Sequence, residues 1–307
     1  MEKRNILTNC IFAIFAIIAG TSFTSCSADS DSSVASIDNK TINEAQAPFS
    51  LVLKAYSNNK DITANGDVEN TTLFVFDQNN DFFKQVTVDR TYLLQAKPIE
   101  ISCPGSSKIT VVAWSGVSGE NEMISNMSQA NIISDLQVSL KQNNGVAAGL
   151  AGDLFYGQVT INRTTKAAAQ EMKIERKVAA VSLVTKGIVK MYDSKEGNYF
   201  YKVKRTKGSF DYNGQTTGSD IEYVIPASVN AQGNLVAQKT AIIPSSDIVI
   251  ELYKDNNLIL SSQNLKNSEK VAVNAGEQAD ITFDISRGTF NMSVTAWGTI
   301  VQNVTVG

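Results

Sequence analysis

Apolar and polar residues alternate along most of this chain with a period of two, the spacing that sends successive side chains to opposite faces of a strand. Residues 49–56 read Phe-Ser-Leu-Val-Leu-Lys-Ala-Tyr and residues 72–77 read Thr-Leu-Phe-Val-Phe-Asp. The series continues at 82–88, 108–114, 136–140 and 154–161. Breaks such as Asn65-Gly66, Asn79-Asn80 and Asn144-Gly145 separate the runs. Short alternating segments punctuated by such turns predict an antiparallel β-sandwich. One stretch, 120–133, carries a weak helical stripe in Met123, Ile124, Met127 and Ile132.

The pattern lapses over 163–170, which marks a domain boundary, and resumes at Met172. Its strongest later alternations are 247–253 and 290–296; in the latter, Phe290, Met292, Val294 and Ala296 share one face. The expected class is all-β, with two β-sandwich domains in series at 48–165 and 166–307, each of ordinary sandwich size. The chain closes with a further strand pattern in which Ile300, Gln302, Val304 and Val306 form a nearly apolar face. It is a candidate partner-contact strand, and a plain last strand of the second domain is the competing reading.

The N-terminal segment follows a different logic. Lys3 and Arg4 precede an unbroken apolar run over 11–19, about half the roughly 20 residues that a membrane-spanning helix needs. This is the form of a cleaved secretion signal, residues 1–25. Cys26 follows at once, where a lipoprotein signal peptidase would cut, although Phe23 and Ser25 replace the usual Leu and Ala or Gly of the lipobox. The new terminal cysteine would carry diacylglyceryl and N-acyl chains, palmitate among them. Each buried methylene contributes about 0.8 kcal/mol, and one chain alone holds only marginally, so several on one residue would fasten it permanently to the outer membrane. Residues 26–47, rich in Ser and Asp, read as a solvated tether.

Composition narrows the chemistry. The 307 residues include no histidine, which excludes His-dependent triads and imidazole-bound metals. Cys10 leaves with the signal and Cys26 takes the lipid, so Cys103 stands alone at a strand end, as a buried apolar filler and not half of a disulfide. Net charge is −3, with no basic patch for nucleic acid. The Asp77–Asp81 turn lacks the order and central glycine of an EF-hand. No enzyme, metal site, cofactor or small-molecule substrate is expected.

Four segments together resemble a known family. Leu73-Phe74-Val75-Phe76-Asp77 with Phe82-Phe83 forms a hairpin; Ile109 to Trp114 forms a strand ending in tryptophan. Asp153-Leu154-Phe155-Tyr156-Gly157 and Arg176-Lys177-Val178-Ala179-Ala180 follow in order. Behind a lipobox, this order is similar to the FimB-type anchoring subunits of Gram-negative fimbriae; a basic residue expected at position 180 is alanine here. The resemblance implies transthyretin-like sandwiches and a surface-exposed outer-membrane lipoprotein that holds a fimbrium, contacts its stalk subunits and limits its length. It also implies that stalk and tip precursors lose a first strand to an arginine-directed protease. No arginine occurs between Cys26 and Arg90, which suits a permanent anchor better than a stalk or tip subunit. A surface glycan-binding lipoprotein is the other alternative, and only two tryptophans, Trp114 and Trp297, are present to serve it.

Overall fold

Strands form where the alternation predicts them, and alternation also decides what they bury. Phe49–Ser57 turns Phe49, Leu51, Leu53 and Ala55 inward and leaves Ser50, Val52 and Lys54 half-buried. The computed structural model describes residues 47–163, 168–192, 196–264 and 270–298, all within one compact unit. Cys26, the tether and the strand pattern containing Ile300, Gln302, Val304 and Val306 lie outside the described residues.

The architecture is all-β and built on two sheets. The first runs in the order Lys60–Asp61, Phe49–Ser57, Gln170–Arg176, Phe155–Asn162, Lys108–Ser115, Thr71–Phe76 and Phe82–Val88, with Ile99–Ile101 added alongside Phe49–Ser57. The second runs Asn257–Ser261, Ser245–Lys254, Tyr199–Phe210, Thr216–Val229, Leu235–Ala237, Ala179–Lys186, Glu277–Asp284 and Thr289–Ala296. Most neighbours are antiparallel. Two long pairings are parallel: residues 51–56 against 170–175, and 180–186 against 278–284.

The strands do not sort along residue 165/166, where the sequence pattern lapses. Gln170–Arg176, on the far side of that line, is a strand of the first sheet, bonded to both Phe49–Ser57 and Phe155–Asn162. Conversely, Glu122–Ile124 and Val138–Leu140 lie before the line yet extend the second sheet through Tyr199–Phe210. The stretch 120–133 is therefore no helix: it holds the strand Glu122–Ile124 and leads to a single 3-10 turn at Ile133–Asp135. Pairing to a distant strand outweighs a weak local stripe. The described α-helices are two short ones, Arg90–Leu94 and Ile188–Tyr192.

Each face of the first sheet buries something different. Leu51, Leu53, Leu73, Val75, Val111 and Met172 point into one core, which also takes up Cys103. The opposite faces of the same strands present Phe74, Phe76, Val112 and Trp114 to a second core, shared with Phe210, Tyr223 and Ile250 of the second sheet. Trp114 is 1 % exposed and its ring centroid lies 5.0 Å from Tyr156 and 5.5 Å from Phe210. Such aromatic pairs add about 0.5–1.5 kcal/mol each beyond area burial. Trp114 thus packs the two sheets together.

Gly157 shows how closely the strands approach. A Cβ there would lie 2.2 Å from the Lys173 carbonyl oxygen and 2.9 Å from Ile174 Cγ2. Gly157→Ala must displace the strand Gln170–Arg176 and is expected to cost about 1–3 kcal/mol, the usual range for overpacking. Urea denaturation would measure it, and an unchanged midpoint would contradict this packing.

Candidate functional site

Arg176 ends the strand Gln170–Arg176, and the alternation of that strand turns it inward with Met172 and Ile174. An inward arginine is costly unless its charge is paired and its donors are used. Here they are. The side chain is 3 % exposed, and its Nε and Nη2 donate to the two carboxylate oxygens of Asp153 at 2.7 and 2.8 Å. Nη2 also reaches Asp67 Oδ2 at 3.2 Å, and Nη1 donates to Ser57 Oγ at 2.9 Å. A forked contact of this kind fits the planar guanidinium and no other side chain.

Two aromatic rings complete the cage. The guanidinium carbon lies 4.9 Å from the Phe155 ring centroid and 4.7 Å from that of Trp297. Lys239 approaches Trp297 at 5.1 Å. Trp297 is therefore a half-buried ring between two cations, unlike the core pillar formed by Trp114. Burial pushes the Asp153 carboxyl up from its ordinary value, and Arg176 pulls it back. A carboxyl raised in the folded state holds its proton more tightly folded than unfolded, so acidification through that window favours the fold at this position.

These residues line a recess of about 660 Å³ bordered by Ser57, Lys60, Asp67, Asp153, Arg176 and Trp297. It sits where the chain passes between the sheets. Ser115 and Phe155 face each other at this end of the first sheet, and Phe155 faces Arg176. Gly116, next along, has φ of +81°, and a Cβ would meet the Asp153 carbonyl oxygen at 2.1 Å; only glycine serves there. Two segments singled out in the sequence, 153–157 and 176–180, thus meet in one junction. Local pattern shows Arg176 only as a charge at a strand end; its carboxylate partners lie 23 and 109 positions away.

A second feature is the strand Thr289–Ala296. Among the described residues it bonds only to Glu277–Asp284, so it forms one edge of the second sheet. Phe290 and Met292 are half-buried as the alternation predicts, whereas Val294 is 41 % exposed. Edge strands of this kind offer unbonded backbone groups to another chain. Nothing at the junction or the edge resembles a catalytic constellation, and the described residues hold no cluster of three metal-ligating side chains. The Asp77 carboxylate caps its own turn, accepting from Asn79 N and Asp81 N at 2.8 and 3.1 Å.

Arg176→Ala would leave the Asp153 and Asp67 carboxylates side by side in the recess without their shared counter-charge. It is expected to destabilise the chain by about 3 kcal/mol, with a change in Trp297 fluorescence. Arg176→Lys should recover little, because an ammonium cannot grip Asp153 twice while reaching Ser57. Denaturation curves of both variants test this; wild-type stability in Arg176→Ala would contradict it.

Comparison with known proteins gives a consistent result. The family model of the fimbrillin-A associated anchor proteins Mfa1 and Mfa2 matches residues 42–303. The major fimbrium anchoring subunit FimB of Porphyromonas gingivalis is 22 % identical over 270 residues, covering 83 % of this chain and 87 % of that protein. Among solved structures, the fimbrial anchor protein Mfa2 of Porphyromonas gingivalis superimposes with a TM-score of 0.57 at 14 % identity, covering 81 % of this chain and 98 % of its own. A candidate polysaccharide-binding protein of Bacteroides thetaiotaomicron gives a TM-score of 0.61 at 15 % identity, covering 84 % of this chain and 99 % of its own. At these identities the structural likeness speaks to the fold.

Proposed function

The chain belongs to the family of fimbrillin-A associated anchor proteins, and on that premise we propose that it fastens a fimbrium to the outer membrane through lipid on Cys26. The observation that carries the reading is the family match across residues 42–303, nearly the whole chain beyond the signal and tether. A relative of closely similar length is an anchoring subunit. The apolar run ending at Cys26 and the polar stretch behind it support lipid attachment. The fimbrial subunit at the base of the stalk is the partner, and the role is structural, without a catalytic step or cofactor.

The leading strand supports an anchor over a polymerising subunit. Phe49–Ser57 is bonded on both sides, to Gln170–Arg176 and to Ile99–Ile101. The first arginine beyond Cys26 is Arg90, which starts a helix inside the first half. An arginine-directed cut there would break the fold instead of releasing its first strand. The glycan-binding alternative finds less support: Trp114 is buried and Trp297 is held between Arg176 and Lys239.

Two experiments test the proposal. Affinity isolation of the protein from outer membranes is expected to bring a fimbrial subunit with it, and recovery of none would overturn the anchoring role. Cys26→Ala is expected to abolish incorporation of a labelled fatty acid and to move the protein from the membrane to the soluble fraction. Undiminished labelling would place the lipid elsewhere.

A further inference from the structure

The tether meets the first sheet at one end, and the chain leaves for the second sheet at the other. Phe49 pairs with Ile101 at the near end, where Asn162 also faces Lys108. Arg163 fixes this end: its guanidinium donates to the carbonyls of Ala47, Cys103 and Ser106 and packs 4.4 Å from the Phe49 ring centroid. At the far end lie Ser115, Phe155 and Arg176. Among the described residues, the three passages between the sheets, 116–121, 148–154 and 177–178, begin or finish there.

Within this frame, the leading strand Phe49–Ser57 and the strand Gln170–Arg176 run parallel, with residues 51–56 beside 170–175. Tension would draw the first from its N-terminal end and the second from its C-terminal end. Parallel strands drawn apart from opposite ends slide along each other, so every bond between them is loaded together. Drawn from the same end, they open one bond at a time. Side chains reinforce the pair: Lys54 reaches Glu171 at 2.7 Å, and Lys173 lies 4.9 Å from the Tyr56 ring centroid.

We propose that this parallel pair is a shear clamp, giving the first sheet a mechanical function: it resists extraction of the tethered strand under load. The source of the load rests on the anchoring role above; the clamp itself is a property of the sheet. The backbone groups that make it can be assigned. Ala55 N donates to Thr63 Oγ1 and the Ala55 carbonyl accepts from Ile62 N, so Ala55 faces away from Gln170–Arg176. Strand alternation then turns the N–H and C=O groups of Val52, Lys54 and Tyr56 towards that strand.

Single-molecule pulling tests the clamp without any partner. The unlipidated chain from residue 26 onward offers the Cys26 thiol as one handle, while Cys103 is buried. The second handle is placed either at exposed Glu175→Cys, at the far end of the strand Gln170–Arg176, or at exposed Ala168→Cys, just before its near end. The opposite-end geometry is expected to rupture at clearly higher force than the same-end geometry at equal loading rate. Equal or lower force would overturn the clamp, whatever the fate of the anchoring role. Lys54→Pro removes one clamping N–H and should lower the opposite-end force beyond what its urea midpoint explains; a force that merely tracks the midpoint would also count against the clamp.

Discussion

A buried guanidinium sets the terms for this molecule. Arg176 stands at the last position of a first-sheet strand, and its charge obliges Asp153, Asp67 and Ser57 to converge on it. Those three belong to separate stretches of chain, so satisfying one cation brings them to the same end of the first sheet. Trp297, from the end of the second sheet's edge strand, covers the remaining face. Removing a partner from such a group is far more costly than the group's net contribution. The arrangement therefore acts mainly as a specification of geometry, since other arrangements of the strands and turns at this end of the first sheet would strand the charge.

Much of this was legible in the chain. Individual strands follow from period-two alternation, and the burial of Leu51, Leu53 and Ala55 against half-exposed Val52 and Lys54 repeats the written pattern almost residue by residue. The resemblance in order of motifs led to the family that the match over 42–303 establishes. Long-range pairing was not legible. Residues 170–176 follow a break in the pattern and read locally as the start of something new, yet their hydrogen bonds go back to residues 51–56. Glu122 illustrates the same limit. A carboxylate in a weak helical stripe reads as solvated, but it is 1 % exposed, with Ser118 Oγ and Gly152 N donating to it at 2.7 and 2.5 Å.

The two tryptophans carry this lesson in miniature. Both end alternating runs, and both invite the same expectation of a core residue. Trp114 lies in a central strand with neighbours on both sides, so its ring meets Tyr156 and Phe210, though its Nε1 finds no acceptor among the described residues. Trp297 lies just past a strand that has one neighbour among the described residues, and cations occupy the space that apolar groups would fill. Position within the sheet, which no local pattern encodes, decides the difference.

One detail of the backbone has an evolutionary reading. Gly276 N donates to the Val178 carbonyl at 2.9 Å, and Trp297 N donates to the Gly276 carbonyl at 2.8 Å. The residues that lead into the second sheet and those that lead out of it are thus laced side by side. Segments whose two ends lie together tolerate insertion, exchange and rearrangement. The strands between 179 and 296 can therefore lengthen, shorten or acquire new surfaces while their two ends stay laced. A lineage could refit this cassette and leave the first sheet as it was.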